Sequence, residues 1–328
     1  MQKLLSILLA VFLLVVCVPE VGAFWVWTPE SGKWLNPKYV VKDTPEEQFK
    51  WALELYDSGD YERTIKEFEQ LIDNFPLSKL CAESRYYIGL AYEAMGKHYY
   101  AFLAYQQIID DYPQSERIDE IIEREYKIAN LFYRGEKASI LGKSIPLVSS
   151  KDKALEVFQK IIENSPYGKY GDLSQYRIAI YYKDTARYNE AIKEFYKIID
   201  NYPKSELVDD ARYEIALCRG KQAAACDYKE EIIDKAIEEF ENFLKDYPQS
   251  NITDDAKDKL FALKEKKAEG IFSIAKFYEL QGAIDSALIY YQEIKVFFPD
   301  TSWVSKASER ISNIKKGQEK RSPELVEE

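Results

Sequence analysis

Residues 176–203 read YRIAIYYKDTARYNEAIKEFYKIIDNYP, and the order of small, aromatic and branched side chains in this run decides the fold. Ile178-Ala179 and Tyr182 recur at the spacing of one helix face. Ala191, Phe195 and Ile198 repeat that spacing on a second helix, and Pro203 blocks its continuation because proline has no N–H and clashes with the preceding turn. A small residue in each helix, Ala179 and Ala191, lets the two approach closely. The run is therefore one packed helix pair.

The same skeleton recurs on both sides. Upstream it reads Ile88-Gly89, Tyr92, Gly96, Ala101, Tyr105, Ile108, Pro113; downstream it reads Ile274-Ala275, Tyr278, Gly282, Ala287, Tyr291, Ile294, Pro299. Six prolines mark the ends of second helices: Pro76, Pro113, Pro166, Pro203, Pro248 and Pro299, separated by 37, 53, 37, 45 and 51 residues. The short separations approach the helix-pair period of about 34 residues, and the long ones require insertions. This is the tetratricopeptide pattern, an all-α solenoid of about six helix pairs plus a capping helix. Glycine or polar turns (Gly59-Asp60, Gly96-Lys97, Gly282-Ala283) join the helices within pairs. The first pair departs from the pattern by placing Thr64 where an alanine is usual. Segments 135–150 and 222–230 read as insertions in the third and fifth pairs, the former a loop marked by Pro146 and Ser149-Ser150. Thr253 to Leu280 reads as one extended helix or two placed end to end, and Trp303 to Lys316 as the cap.

Organisation along the chain follows: 1–23 an export signal, 24–44 an aromatic arm, 45–206 an N-terminal repeat block, 207–318 a C-terminal block with the long helix and cap, and 319–328 a disordered tail. Lys3 followed by the apolar run Leu4–Val18 is too short to span a bilayer and suits a signal-peptide core. Two readings of its end stay open. Cleavage after Ala23 uses the small residues Val21-Gly22-Ala23. Lipidation at Cys17 would make the chain a lipoprotein, although Val16 stands where a small residue is usual. The arm holds Phe24, Trp25, Trp27, Trp34 and Tyr39, broken by Pro29, Gly32 and Pro37. It reads as an extended segment that shields the first helix pair or anchors a partner or membrane interface.

A net charge of −11, with 45 Lys+Arg against 56 Asp+Glu, excludes a nucleic-acid wrapper, because phosphate binding needs clustered cations. The single histidine, His98, has no cysteine or carboxylate at metal spacing. Gly142-Lys143-Ser144 lacks the strand context and glycine spacing of a phosphate loop. Cys81, Cys218 and Cys226 form no disulfide framework and read as small buried apolar residues. No catalytic, metal or cofactor residues emerge, so the chain reads as a noncatalytic binder. Stacked pairs bury together the apolar faces that none buries alone, and the first helix of each pair lines a groove. The repeat offsets place Phe49, Leu53, Tyr56, Tyr86, Leu90, Tyr176, Ile180 and Lys183 there as candidate peptide contacts.

Tyr202-Pro203-Lys204-Ser205 through Ala211, Tyr247-Pro248-Gln249-Ser250 through Ala256, the long segment Leu260–Glu279, and Phe75-Pro76-Leu77-Ser78 together resemble the BamD family, tetratricopeptide components of the bacterial machinery that assembles outer-membrane β-barrels. The resemblance covers most of the chain beyond the export signal. It implies a periplasmic scaffold on the inner face of the outer membrane, with no cofactor. N-terminal repeats would receive segments of outer-membrane protein clients and C-terminal repeats would dock the barrel-assembly subunit. The alternative is a periplasmic scaffold coordinating division or peptidoglycan enzymes. The family usually carries five repeats and a lipidated N-terminus, against the six pairs and the Cys17 context here.

Overall fold

The computed structural model describes residues 26–28, 33–35, 41–135, 139–140, 143–144, 149–225 and 229–321. The segment 1–23 expected as an export signal, with Cys17 and Ala23, lies outside the described residues, as does Cys226. Two compact units divide the chain, 1–115 and 116–328.

In the first unit, β1 (Val26–Thr28) pairs antiparallel with β2 (Lys33–Leu35), Trp27 opposite Trp34. The helices α1 (Pro45–Asp57), α2 (Tyr61–Asn74), α3 (Leu80–Ala94) and α4 (His98–Asp111) follow. Thr44 caps α1 by accepting from the Glu47 N–H, with Pro45 in the first turn where its missing N–H costs nothing. The second unit holds α5 (Ile118–Tyr133), β3 (Ser139–Ile140), β4 (Lys143–Ser144), α6 (Ser150–Asn164), α7 (Gly171–Asp184), α8 (Tyr188–Asn201), α9 (Val208–Ala225), α10 (Glu230–Asp246), α11 (Thr253–Leu280), α12 (Ile284–Phe297) and α13 (Trp303–Arg321). Sequential helices pack on one another within each unit, giving two pairs in the first and four pairs plus the cap in the second. The fold is the tetratricopeptide α-solenoid. Both α8 and α9, on either side of the 206/207 block boundary, lie in the second unit and pack together.

The prolines act as expected. Phe75, Tyr112, Ser165, Tyr202, Tyr247 and Phe298 each precede one, each leaves the helical region with φ between −126° and −145°, and each N–H still bonds the carbonyl four residues back. Ala52, Ala101, Ala179, Ala191, Ala275 and Ala287 are fully buried. Thr64 is equally buried, and its hydroxyl donates to the Asp60 carbonyl at 2.8 Å, which satisfies the extra polar atom. Helices within a pair are tied by recurring polar bonds. Gln48 Nε2 donates to the Glu67 carboxylate at 2.9 Å and Gln175 Nε2 to Glu194 at 2.8 Å. Tyr291 donates to Glu279 at 2.9 Å and Tyr105 to Glu93 at 2.5 Å.

Four corrections to the sequence reading have physical causes. The arm and the first insertion each contain a short antiparallel strand pair, and in both a short glycine-containing stretch of sequence separates the strands. Residues 222–225 belong to α9, because Gln222-Ala223-Ala224-Ala225 is a strong helix-forming run. The cap runs past Lys316 and Gly317 to Arg321, so residues 319–321 of the expected tail are helical. Finally, the atoms facing Gly89 are those of the Tyr105 ring, one turn beyond Ala101.

Thr253–Leu280 is one continuous helix, and its two halves serve different cores. Ala256 and Leu263 join the cluster of α9 and α10, whereas Ala268, Ile271 and Ala275 join that of α12 and α13.

Among the described residues, five of the six pairs place a left-handed residue just after the first helix. Gly59, Gly96, Gly135 and Gly282 supply it with φ from 69° to 100°, but Ala186 takes it with φ 58°. An L-residue with a Cβ is disfavoured there by roughly 1–2 kcal/mol. Ala186→Gly is expected to raise stability by about 1 kcal/mol, read as a higher midpoint in chemical denaturation.

Candidate functional site

Counting from the small residue of each first helix (Ala52 in α1, Gly89 in α3, Ala179 in α7), the candidate contacts occupy three rows. Three residues before it stand Phe49, Tyr86 and Tyr176. One after it stand Leu53, Leu90 and Ile180. Four after it stand Tyr56 and Lys183. Helical spacing puts these offsets on adjoining strips of one face.

The first row turns inward. Phe49 is half-buried, with its ring 5.3 Å from Phe68 and 5.8 Å from Tyr87. Tyr86 is only 4% exposed and lies against Tyr105 at 6.1 Å, so its ring serves the core. Tyr176 is half-buried and meets Phe195 edge-on at 5.6 Å. Burial, then Glu214 and Asp210, push its phenol well above the ordinary range, so it remains a neutral donor. The second row, Leu53, Leu90 and Ile180, is half-buried. In the third row, Tyr56 packs on Tyr61 at 5.6 Å and Tyr87 at 5.4 Å. Lys183 donates to both carboxylate oxygens of Glu214 at 2.7 Å, tying α7 to α9.

Direct packing of α1 on α3 brings Phe49, Leu53, Tyr56, Tyr86 and Leu90 to one region of the first unit. Tyr176, Ile180 and Lys183 share one face of α7 in the second unit. Tyr87, absent from the sequence reading, is the hub of the first region: it touches Phe49, Tyr56, Phe68 and Tyr86. Its signal was the doubled tyrosine at 86–87, of which only the first matches a repeat offset.

Cys81 and Cys218 are buried free thiols, and burial followed by Glu214 pushes Cys218 up to about 12, keeping it protonated. His98 begins α4. Among the described residues no group of three His, Cys, Asp or Glu could hold a metal ion, and no helix is long and apolar enough to cross a membrane. What the rows offer is apolar and aromatic surface beside backbone held rigid by packed helices, which suits binding a polypeptide.

A family model described as "YfiO: Outer membrane lipoprotein" matches residues 41–229 and again 148–321. No curated protein matched the chain. Solved structures similar to it include a tetratricopeptide repeat protein of Parabacteroides merdae (16% identity over 76% of this chain and 92% of that one, TM-score 0.33). The C-terminal part of a TPR repeat-containing protein of Cytophaga hutchinsonii is 17% identical over 81% and 88%, with TM-score 0.36. A thermophilic TPR protein of Thermus thermophilus is 13% identical over 67% and 98%, with TM-score 0.30.

Proposed function

The chain belongs to the outer membrane lipoprotein family YfiO, the BamD-like family its repeats resemble, and from that premise we propose that it is a noncatalytic scaffold of the β-barrel assembly machinery. The observation that carries this reading is the family match, which runs through every helix pair from α1 to α13. The repeat blocks 45–206 and 207–318 divide the work by partner: the first receives extended segments of outer-membrane protein clients, and the second docks the barrel-assembly subunit. The protein acts in the periplasm on the inner face of the outer membrane. The family's lipoprotein character favours Cys17 as the acylated residue over cleavage after Ala23.

Client segments lie along the second row of the first unit and its neighbours, where the half-buried Leu53 and Leu90 keep part of their apolar surface exposed. Leu53→Glu with Leu90→Glu is expected to weaken binding of a fluorescent peptide from the last strand of a barrel protein at least tenfold. Far-UV circular dichroism should be unchanged, because both side chains are half-buried. Undiminished affinity in a folded variant would refute the assignment. Affinity capture of the acylated chain from outer membranes should recover the barrel-assembly subunit. Recovery of division or peptidoglycan enzymes in its place would favour the envelope-enzyme scaffold.

A further inference from the structure

The fourth residue after the small position closes the gap to a neighbour in five of the six first helices. Tyr56 packs on Tyr61, Glu93 accepts from Tyr105, Tyr133 donates to Asp184, Lys183 pairs with Glu214, and Glu279 accepts from Tyr291. In α9 the small residue is Ala216 and the fourth after it is Gly220. With no side chain there, a cavity of about 330 Å³ stays open among α9, α10 and α11. Neither packing nor backbone demands this glycine. Its φ is not left-handed, and an added Cβ would meet only Phe240 Cε2, at an ordinary 3.6 Å.

The chemistry of the cavity is one-sided. Leu217, Phe240 and Leu263 give it apolar walls, and the exposed Ala224 and Ala262 leave its mouth wide. Lys221, Lys259 and Lys266 stand around it, and no carboxylate lines it, in a chain whose net charge is −11. Lys221 makes no ion pair among the described residues. Lys259 reaches Asp255 at 3.5 Å, and both side chains are about half exposed, so that pairing is weak. Lys266 is committed, donating to the Ala223 carbonyl at 2.7 Å.

We propose that this cavity docks an acidic segment of a partner protein, which inserts one bulky apolar side chain beside Gly220 and sets flanking carboxylates on Lys221 and Lys259. Desolvating an aliphatic or aromatic anchor supplies affinity, and the lysines select the sign of its flanks. The site shares no residue with the Leu53 and Leu90 rows, so its failure leaves the client-segment reading intact.

The test uses the full chain and labelled twelve-residue peptides with a Phe-Leu centre, flanked either by Asp and Glu or by Lys and Arg. Fluorescence anisotropy should show the acidic peptide binding at least tenfold more tightly than the basic one, with affinity falling as salt rises. Gly220→Leu, which fills the cavity, and the pair Lys221→Glu with Lys259→Glu should each weaken it at least tenfold. Equal binding of both peptides, absence of binding, or acidic-peptide affinity untouched by these variants would overturn the proposal. Should Gly220→Leu melt early, the exposed lysine pair decides the matter.

Discussion

Replacing Phe68 by alanine is expected to cost about 3–5 kcal/mol and to open α1–α4 to hydrogen exchange. Phe68 is fully buried, 5.3 Å from Phe49 and stacked 5.6 Å from Tyr87. Its removal takes away the ring on which both first-helix aromatics lean, and the rigid frames of α1 and α3 limit collapse of the hole. The first unit holds two helix pairs, and about three are the usual minimum for a stable array, so this loss should exceed its reserve. Because stability in such arrays passes mainly between neighbours, amides of α11–α13 should keep their protection. Exchange mass spectrometry checks both halves of the expectation. A uniform rise along the chain, or none in α1–α4, contradicts the local role given to Phe68.

The second large effect is expected at Gly89. A Cβ there would sit 2.2 Å from Tyr105 Cε1 and under 3.0 Å from two further ring atoms. Tyr105 cannot swing aside cheaply, since it is fully buried and its hydroxyl is held by Glu93. Overpacking of this kind costs about 1–3 kcal/mol, which outweighs the gain of roughly 1 kcal/mol from exchanging a helical glycine for alanine. Gly89→Ala should therefore lower the denaturation midpoint, and Tyr105→Leu should relieve part of the loss when the two are combined. Simple additivity of the two substitutions would show that the ring is not what excludes the methyl group. The sixth pair carries Ala275 opposite the equally buried Tyr291, so the combination is buildable when the two helices are seated for it from the start.

Most of the helices were legible because their signals are redundant. Each pair announces itself through a small residue in each helix, an aromatic filler and a closing proline, so losing one signal, as at Thr64, does no harm. Features resting on one residue or on continuity were not legible. Ala186 occupies a left-handed turn that its side chain disfavours, and only the surrounding pair compels it. The extension of the cap through Gly317 shows helical neighbours overriding a poor helix former. At the candidate site periodicity groups residues by helix face, but it does not separate Tyr86, which faces the core, from Leu90, which stays partly exposed. That distinction depends on how far the next pair is rotated, a property of packing. Tyr87 went unseen because its role is shared among rings from three helices.

α11 joins two cores with a single unbroken rod about 42 Å long at the standard helical rise. A hinge would let α12 and α13 swing freely of α9 and α10, but a straight helix bends little without proline or an inserted side chain. Torque applied at the cap end must therefore be delivered, as by a lever arm, to the walls of the hollow beside Gly220.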